Sequence, residues 1–337
     1  TDGPVIASGM QFASDGYRVS GGTLALVADK AAPGPVEVRV GDGSGASAGW
    51  TATIDSVVAG THGLAKTGSG TLALTGVNSY SGGTAVRAGT LQISSDANLG
   101  AATGGLALEG GTLRASGTIT SARTVSLGAG AGAGGFEVDP TRTLTLDGEI
   151  SGAGALVKTG LGTLALGTAN TYAGGTNVAA GSLQAQVSGA LGSGPVAVAG
   201  NASLLFSGTA DAGKLTIDVA ARGALPTDNA GFVQFGGKSS AGQAHIVTHT
   251  DASADFRDSA SAGNAVIENR GGNTTLWFNA TAGKAHITNF AGGDINLLDD
   301  ASAGQATFVN GSGGLIDIFD RATADPATGV SQAGRGP

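Results

Sequence analysis

The sequence contains no cysteine, one methionine and two tryptophans, and only 4% of its 337 residues are aromatic. Without cysteine there are no disulfides and no thiolate-ligated zinc, which also suits a chain that crosses an oxidising periplasm unfolded. So few rings cannot fill the thick core of an ordinary globular domain. Charge is scarce too, at 12%, and 17 Lys and Arg against 25 Asp and Glu leave a net charge of -8. There is no basic field for a phosphate backbone, so no nucleic acid partner is expected. No run of about 18 apolar residues is present to span a bilayer. Thr1 to Ala7 lack the basic and apolar regions of a signal peptide.

What is present is small and apolar. Glycine supplies 62 residues and hydrophobic side chains make up 41%, which is too apolar for a disordered polymer. A narrow core of Leu, Val, Ile and Ala, stacked along one axis, reconciles small side chains with a buried interior.

Internal repetition decides the architecture. The stretch from Leu64 reads LAKTGSGTLALTGVNSYSGGTAVRAGTLQI, and that from Leu156 reads LVKTGLGTLALGTANTYAGGTNVAAGSLQA. The offset is 92 residues, Lys66 to Lys158, which is expected to equal a whole number of structural units. A second, tighter system starts at Ser240. Its copies begin at Ser240, Ser261, Thr281 and Ser302, 20 or 21 residues apart, with a degenerate fifth copy at Thr323. Ala265, Ile267 and Asn269 share one parity, as do Ala285, Ile287 and Asn289, then Ala306, Phe308 and Asn310. That is the period of a strand with one face inward. Phe235, Phe256, Leu276, Leu297 and Ile318 mark a second inward strand per unit. Leucine-rich repeats have a similar period, but their leucine scaffold is missing here.

The paired stretches resemble the passenger-associated transport repeat of autotransporters, on Lys66, Asn78, Tyr80, Gly82, Gly83 and Thr84 and again on Lys158, Asn170, Tyr172, Gly174, Gly175 and Thr176. The second copy departs at Thr168, where the pattern has glycine. The resemblance implies export through the periplasm, passage through an outer-membrane β-barrel translocator and display at the surface of a Gram-negative cell. The implied protein is a non-catalytic stalk, adhesin or self-association surface. Its partners would be a host-cell, matrix or bacterial surface ligand, or a second copy. Alternatives are an end-stacking subunit of an extracellular filament or surface layer, and a carbohydrate-active β-helix enzyme.

The expected fold class is all-β, a right-handed parallel β-helix (β-solenoid) with about 20–23 residues per rung and about 16 rungs in all. The expected organisation is a β-helix over 1–208 carrying the transport repeats, an irregular rung or protruding loop over 209–238, the tighter repeats over 239–325, and a flexible tail over 326–337.

Candidate chemistry is weighed against this frame. Gly45–Gly49 matches G-x-S-x-G around Ser47, with His62 as a possible base, but no helix pattern follows. Gly130, Gly132 and Gly135 match G-x-G-x-x-G, yet Phe136–Val138 reads as a strand where a phosphate site needs a helix. His245 and His286 share a repeat phase two rungs apart, roughly 9–10 Å, and His245 and His249 could approach across a bend. Asp294, Asp299, Asp300, Asp317 and Asp320, with Arg321, are the candidates for a glycan-cleaving groove, against a solvated acidic flank. No metal, cofactor or catalytic residue is expected. Asn269, Asn289 and Asn310 recur beside inward residues and are expected to form a structural ladder of amides.

Overall fold

The structure is a computed structural model describing residues 3–28, 34–129, 134–225, 227–324 and 327–331. Contacts divide it into two compact units, Thr1–Leu164 with Asn170–Gly174, and Ala165–Ala169 with Gly175–Pro337. Both are parallel β-solenoid. Among the described residues there is no α-helix, only single 3₁₀ turns at Gly45–Gly49 and Asp96–Leu99. The described residues make about 14 turns, fewer than an even 21-residue rung gives, because several coils are lengthened by inserts.

In the first unit, consecutive coils place parallel strands on three faces. One face runs Gly9–Phe12, Val36–Val40, Leu64–Thr67, Thr84–Val86, Leu106–Leu108, Val125–Leu127 and Ile150–Ser151. A second runs Arg18–Val19, Thr51–Ile54, Thr71–Leu74, Thr90–Ile93, Thr112–Ala115, Gly134–Val138 and Leu156–Thr159. The third begins with Val5–Ala7, Thr23–Leu26 and Val57–Ala59. Many of the short strands alternate inward and outward residues, as Val36–Val40, Thr90–Ile93 and Thr112–Ala115 do, so the register stacks like on like. Leu72 pairs with Leu91, Leu91 with Leu113 and Leu113 with Phe136, all buried.

This register corrects the expectation that the 92-residue offset is a whole number of coils. Lys66 stands on the first face between Val38 and Val86. Lys158 stands on the second face, in the column of Leu72, Leu91, Leu113 and Phe136. The second copy of the motif therefore starts one face further round. Coil length explains it, since successive partners Thr71, Thr90, Thr112 and Gly135 are 19, 22 and 23 residues apart. The motif, longer than one coil, begins on the first face in one copy and on the second face in the other.

In the second unit one face runs from Thr176–Val178 through Val196–Val198, Thr216–Val219, His245–His249, Val266–Arg270, His286–Asn289 and Thr307–Asn310 to Thr328–Ser331. Another runs from Gly181–Ala185 through Ala202–Phe206, Phe232–Phe235, Ser253–Phe256, Asn273–Leu276 and Asp294–Leu297 to Leu315–Ile318. The third corner is a chain of single parallel bridges, Asp211 to Ser240, Ser261, Thr281, Ser302 and Thr323. Large apolar residues fill the interior. Ile217, Ile246, Ile267, Ile287 and Phe308 form one column. Phe206, Phe235 and Phe256 form another, with rings stacked at 4.7 and 4.8 Å. Ile318, expected inward, is 43% exposed, on the last strand of its sheet among the described residues.

Asp211 opens a further copy of the tight repeat, Asp-Ala-Gly-Lys-Leu-Thr-Ile, bridged to Ser240. Among its described residues, the segment between its strand and the next on the neighbouring face, 220–231, holds no strand. It is tied by the Asp228 carboxylate, which accepts from the Leu225 N–H at 2.9 Å and the Asn201 amide at 3.2 Å. In the stretch expected as a tail, Thr328–Ser331 pairs in parallel with Thr307–Asn310. Residues 326 and 332–337 of that stretch lie outside the described residues.

Candidate functional site

The inward alternation that buries Leu and Val also carries polar residues into the interior, where each must find partners. Lys66 is fully buried. Its ammonium has three donors, and they go to Thr67 O and Gly68 O at 2.8 Å each and to Ala88 O at 3.0 Å. The lysine thus ties its own strand end to the turn of the next coil. Lys158, also fully buried, donates to Thr159 O and Gly160 O, both at 2.8 Å.

Asn78 replaces a missing strand. The third face has Val57–Ala59 but no strand in the next coil, and there the Asn78 side chain accepts from Val58 N–H at 2.8 Å while donating to Asn98 O at 2.6 Å. Asn170 repeats the first half, accepting from Ile150 N–H at 2.7 Å. Tyr80 is buried, its hydroxyl 2.7 Å from Thr84 Oγ1; Tyr172 is equally buried. Gly82 is where two coils touch backbone to backbone, since a Cβ there would lie 2.2 Å from Gly63 N. Gly174 is as tight, 2.4 Å from Ala155 N. Gly83 and Gly175 follow with φ of +79° and +88°, the left-handed region that favours glycine.

Arg123 is the residue that sequence reasoning missed. Its side chain is 3% exposed and meets the Asp96 carboxylate at 2.9 Å. The remaining donors reach Ala101 O at 2.6 Å, Gly104 O at 2.9 Å and Gly100 O at 2.8 Å. One planar fork thereby satisfies the turn that follows the first repeat. The only sequence signal was a lone arginine in a Gly/Ala/Thr-rich stretch.

In the second unit, Asn269 Nδ2 donates to Asn289 Oδ1 at 2.8 Å and Asn289 Nδ2 to Asn310 Oδ1 at 3.1 Å. Each amide also spans to backbone, Asn269 to Asp294 O at 3.0 Å, Asn289 to Leu315 O at 2.8 Å and Asn310 to Gly314 O at 2.7 Å. Thr248 and Thr274 hydroxyls donate to Asn269 Oδ1, each at 2.9 Å.

Ser47 sits in a 3₁₀ turn, donating to Ser44 O at 2.6 Å with Ser69 Oγ at 3.0 Å. Gly130 and Gly132 lie outside the described residues, and Gly135 is inside the strand Gly134–Val138. His245 and His249 share one strand and do not meet across a bend. His245 pairs with Glu268 at 3.1 Å and His249 with Asp218 at 3.2 Å; Val266 separates His245 from His286.

Asp299, Asp300, Asp320 and Arg321 do line one shallow hollow with Phe278 and Asn279. Asp300 is paired with Arg321 at 2.6 Å. Asp299 accepts from Phe278 N–H at 3.1 Å and Asp320 from Asp299 N–H at 3.4 Å, so these two carboxylates cap left-handed turns. Asp294 and Asp317 lie outside the hollow, on adjacent sheet strands. Burial and the nearby Asp317 charge raise the Asp294 carboxyl.

Residues 64–93 and 156–185, the coils laced from inside by Lys, Asn-x-Tyr and Gly-Gly-Thr, match the family model described as Passenger-associated-transport-repeat. The chain is also similar to the Adhesin BmaC autotransporter of Brucella suis biovar 1 (strain 1330), with 39% identity over 204 residues, 60% of this chain. It spans only 6% of that protein's length. No solved structure matches the chain.

The buried ionisable groups give the motif a pH signature. Burial pushes the Lys66 and Lys158 ammonium groups down to about 8 and the Tyr80 phenol up to about 12. Between about 8 and the ordinary lysine value, the unfolded chain holds more protons, so stability rises with pH. Above about 10 the unfolded tyrosine ionises while buried Tyr80 does not, so stability falls. The expected melting temperature therefore rises from pH of about 7.5 to about 9.5 and then turns over. A Lys66→Met, Lys158→Met chain should lose the rising limb. An unchanged limb would show that these lysines titrate normally.

Proposed function

We propose that this chain is a non-catalytic adhesive segment of an autotransporter passenger, displayed at the surface of a Gram-negative cell after export through a β-barrel translocator. The observation that carries the reading is its 39% identity to part of an adhesin autotransporter. The structure supports it in one respect. The repeated polar residues Lys66, Asn78, Tyr80 and Asn289 spend their hydrogen bonds inside the coil, which leaves contact with other surfaces to the varied outward residues. The partner is a host-cell, matrix or bacterial surface ligand, or a second copy of the chain.

Beads coated with the purified chain test this on epithelial cells, on immobilised matrix proteins and on one another. Saturable attachment above that of albumin-coated beads, abolished by unfolding the chain, is the expected result. Attachment no better than albumin on every surface, together with release of fragments from a panel of polysaccharides, would overturn it in favour of a glycan-cleaving coil.

A further inference from the structure

Asn310–Gly311 is the one Asn-Gly pair in the sequence, and both residues are demanded by the fold. Asn310 ends the amide ladder. Gly311 passes so close to the previous coil that a Cβ would lie 2.7 Å from Asn289 O. Asn-Gly is also the dipeptide that closes most readily to a succinimide, because no side chain shields the following nitrogen.

From this juxtaposition we infer that Asn310 is a spontaneous deamidation and isoaspartate site, held silent by the folded coil and open in the unfolded chain. In the reaction Gly311 N attacks Asn310 Cγ. The new N–Cγ bond closes the five-membered ring, the Cγ–Nδ2 bond breaks and the amide leaves as ammonia, taking up the proton lost from Gly311. Water then opens either carbonyl, giving aspartate or isoaspartate; no oxidant, metal or enzyme takes part.

The folded coil blocks every step. Asn310 is 6% exposed. Its Nδ2 is held by Gly314 O at 2.7 Å and its Oδ1 by Asn289 Nδ2 at 3.1 Å, so the amide cannot swing toward the backbone. The nucleophile is occupied too, since Gly311 N–H donates to Asn289 O at 2.8 Å. Reaction requires that all three bonds open together.

The product damages the coil that failed to protect it. An aspartate at 310 has no donor for Gly314 O and places a charge in an interior column, while isoaspartate lengthens the backbone by one methylene and breaks the pairing of Thr307–Asn310 with its neighbours. A chain kept unfolded too long is thereby marked and loses the ability to close this coil.

The test incubates the full chain folded in buffer and unfolded in guanidinium chloride at the same pH and temperature. Peptide mass spectrometry and isoaspartate detection are then applied to the tryptic segment Ala285–Arg321. Conversion at Asn310 is expected at least about tenfold faster in the unfolded sample. Gly311→Ala, read in denaturant where folding does not matter, should slow it strongly, and Asn289→Leu should speed it in the folded sample. Equal rates in the folded and unfolded chain, or conversion in denaturant unaffected by Gly311→Ala, would overturn the inference.

Discussion

Gly82→Val should destabilise the first unit by about 3 kcal/mol or more, at the upper end of what overpacking costs. The added Cβ would stand 2.2 Å from Gly63 N and 2.6 Å from His62 C. Both are backbone atoms, so no rotamer change relieves the clash; the two coils must separate. Separation breaks the lacing on both sides, because Ser81 N–H bonds to Gly60 O at 3.0 Å and Leu64 N–H to Gly83 O at 3.0 Å. Gly3→Ala, with open space around its Cβ, is the control and should stay within about 0.5 kcal/mol. Denaturant midpoints of the two variants measure the difference.

Asn289→Leu should cost nearly as much by the opposite route, a vacancy of partners instead of a collision. The substitution removes a donor to Asn310 Oδ1 and to Leu315 O and an acceptor for Asn269 Nδ2. Asn269 keeps Asp294 O, but the other two acceptors are left bare at roughly 1–3 kcal/mol each where buried. Lys284→Ala on the same coil changes an exposed residue and should move stability by at most about 0.5 kcal/mol. Equal midpoints for these two variants would mean that the amide column adds nothing that leucine cannot.

The coil period was legible in the sequence because the fold is local in one dimension. A residue's neighbours are those one rung away, so inward columns appear as apolar residues spaced by about 21 positions. Phe235, Phe256, Leu276 and Leu297 show this directly, being fully buried and paired in register. The copy at Asp211 was hidden because 220–231 stretches its coil, setting the paired Ile217 and Ile246 29 positions apart. The rotation of the second motif by one face was hidden for the same reason. Arg123 was illegible for another cause. Its partners are mostly carbonyls of the turn one coil earlier, and every residue has a carbonyl, so no sequence pattern announces them. The buried lysines were visible as repeated residues, but their inward direction shows only in the register with Val38, Val86 and Phe136.

The central claim is that coil stacking from within sets the stability of this chain and is strongest toward the C-terminal side. There Ile246, Ile267, Ile287, Phe235 and Phe256 stack fully buried, and each added Å² of apolar burial contributes about 25 cal/mol. Such a block would fold first and template its neighbours. Limited proteolysis with mass mapping of the fragments tests this most directly. The account expects a resistant fragment covering approximately Phe232 to Asp320, with early cleavage between Arg222 and Asn229. A resistant core at residues 1–200, with the tight repeats digested first, would contradict it.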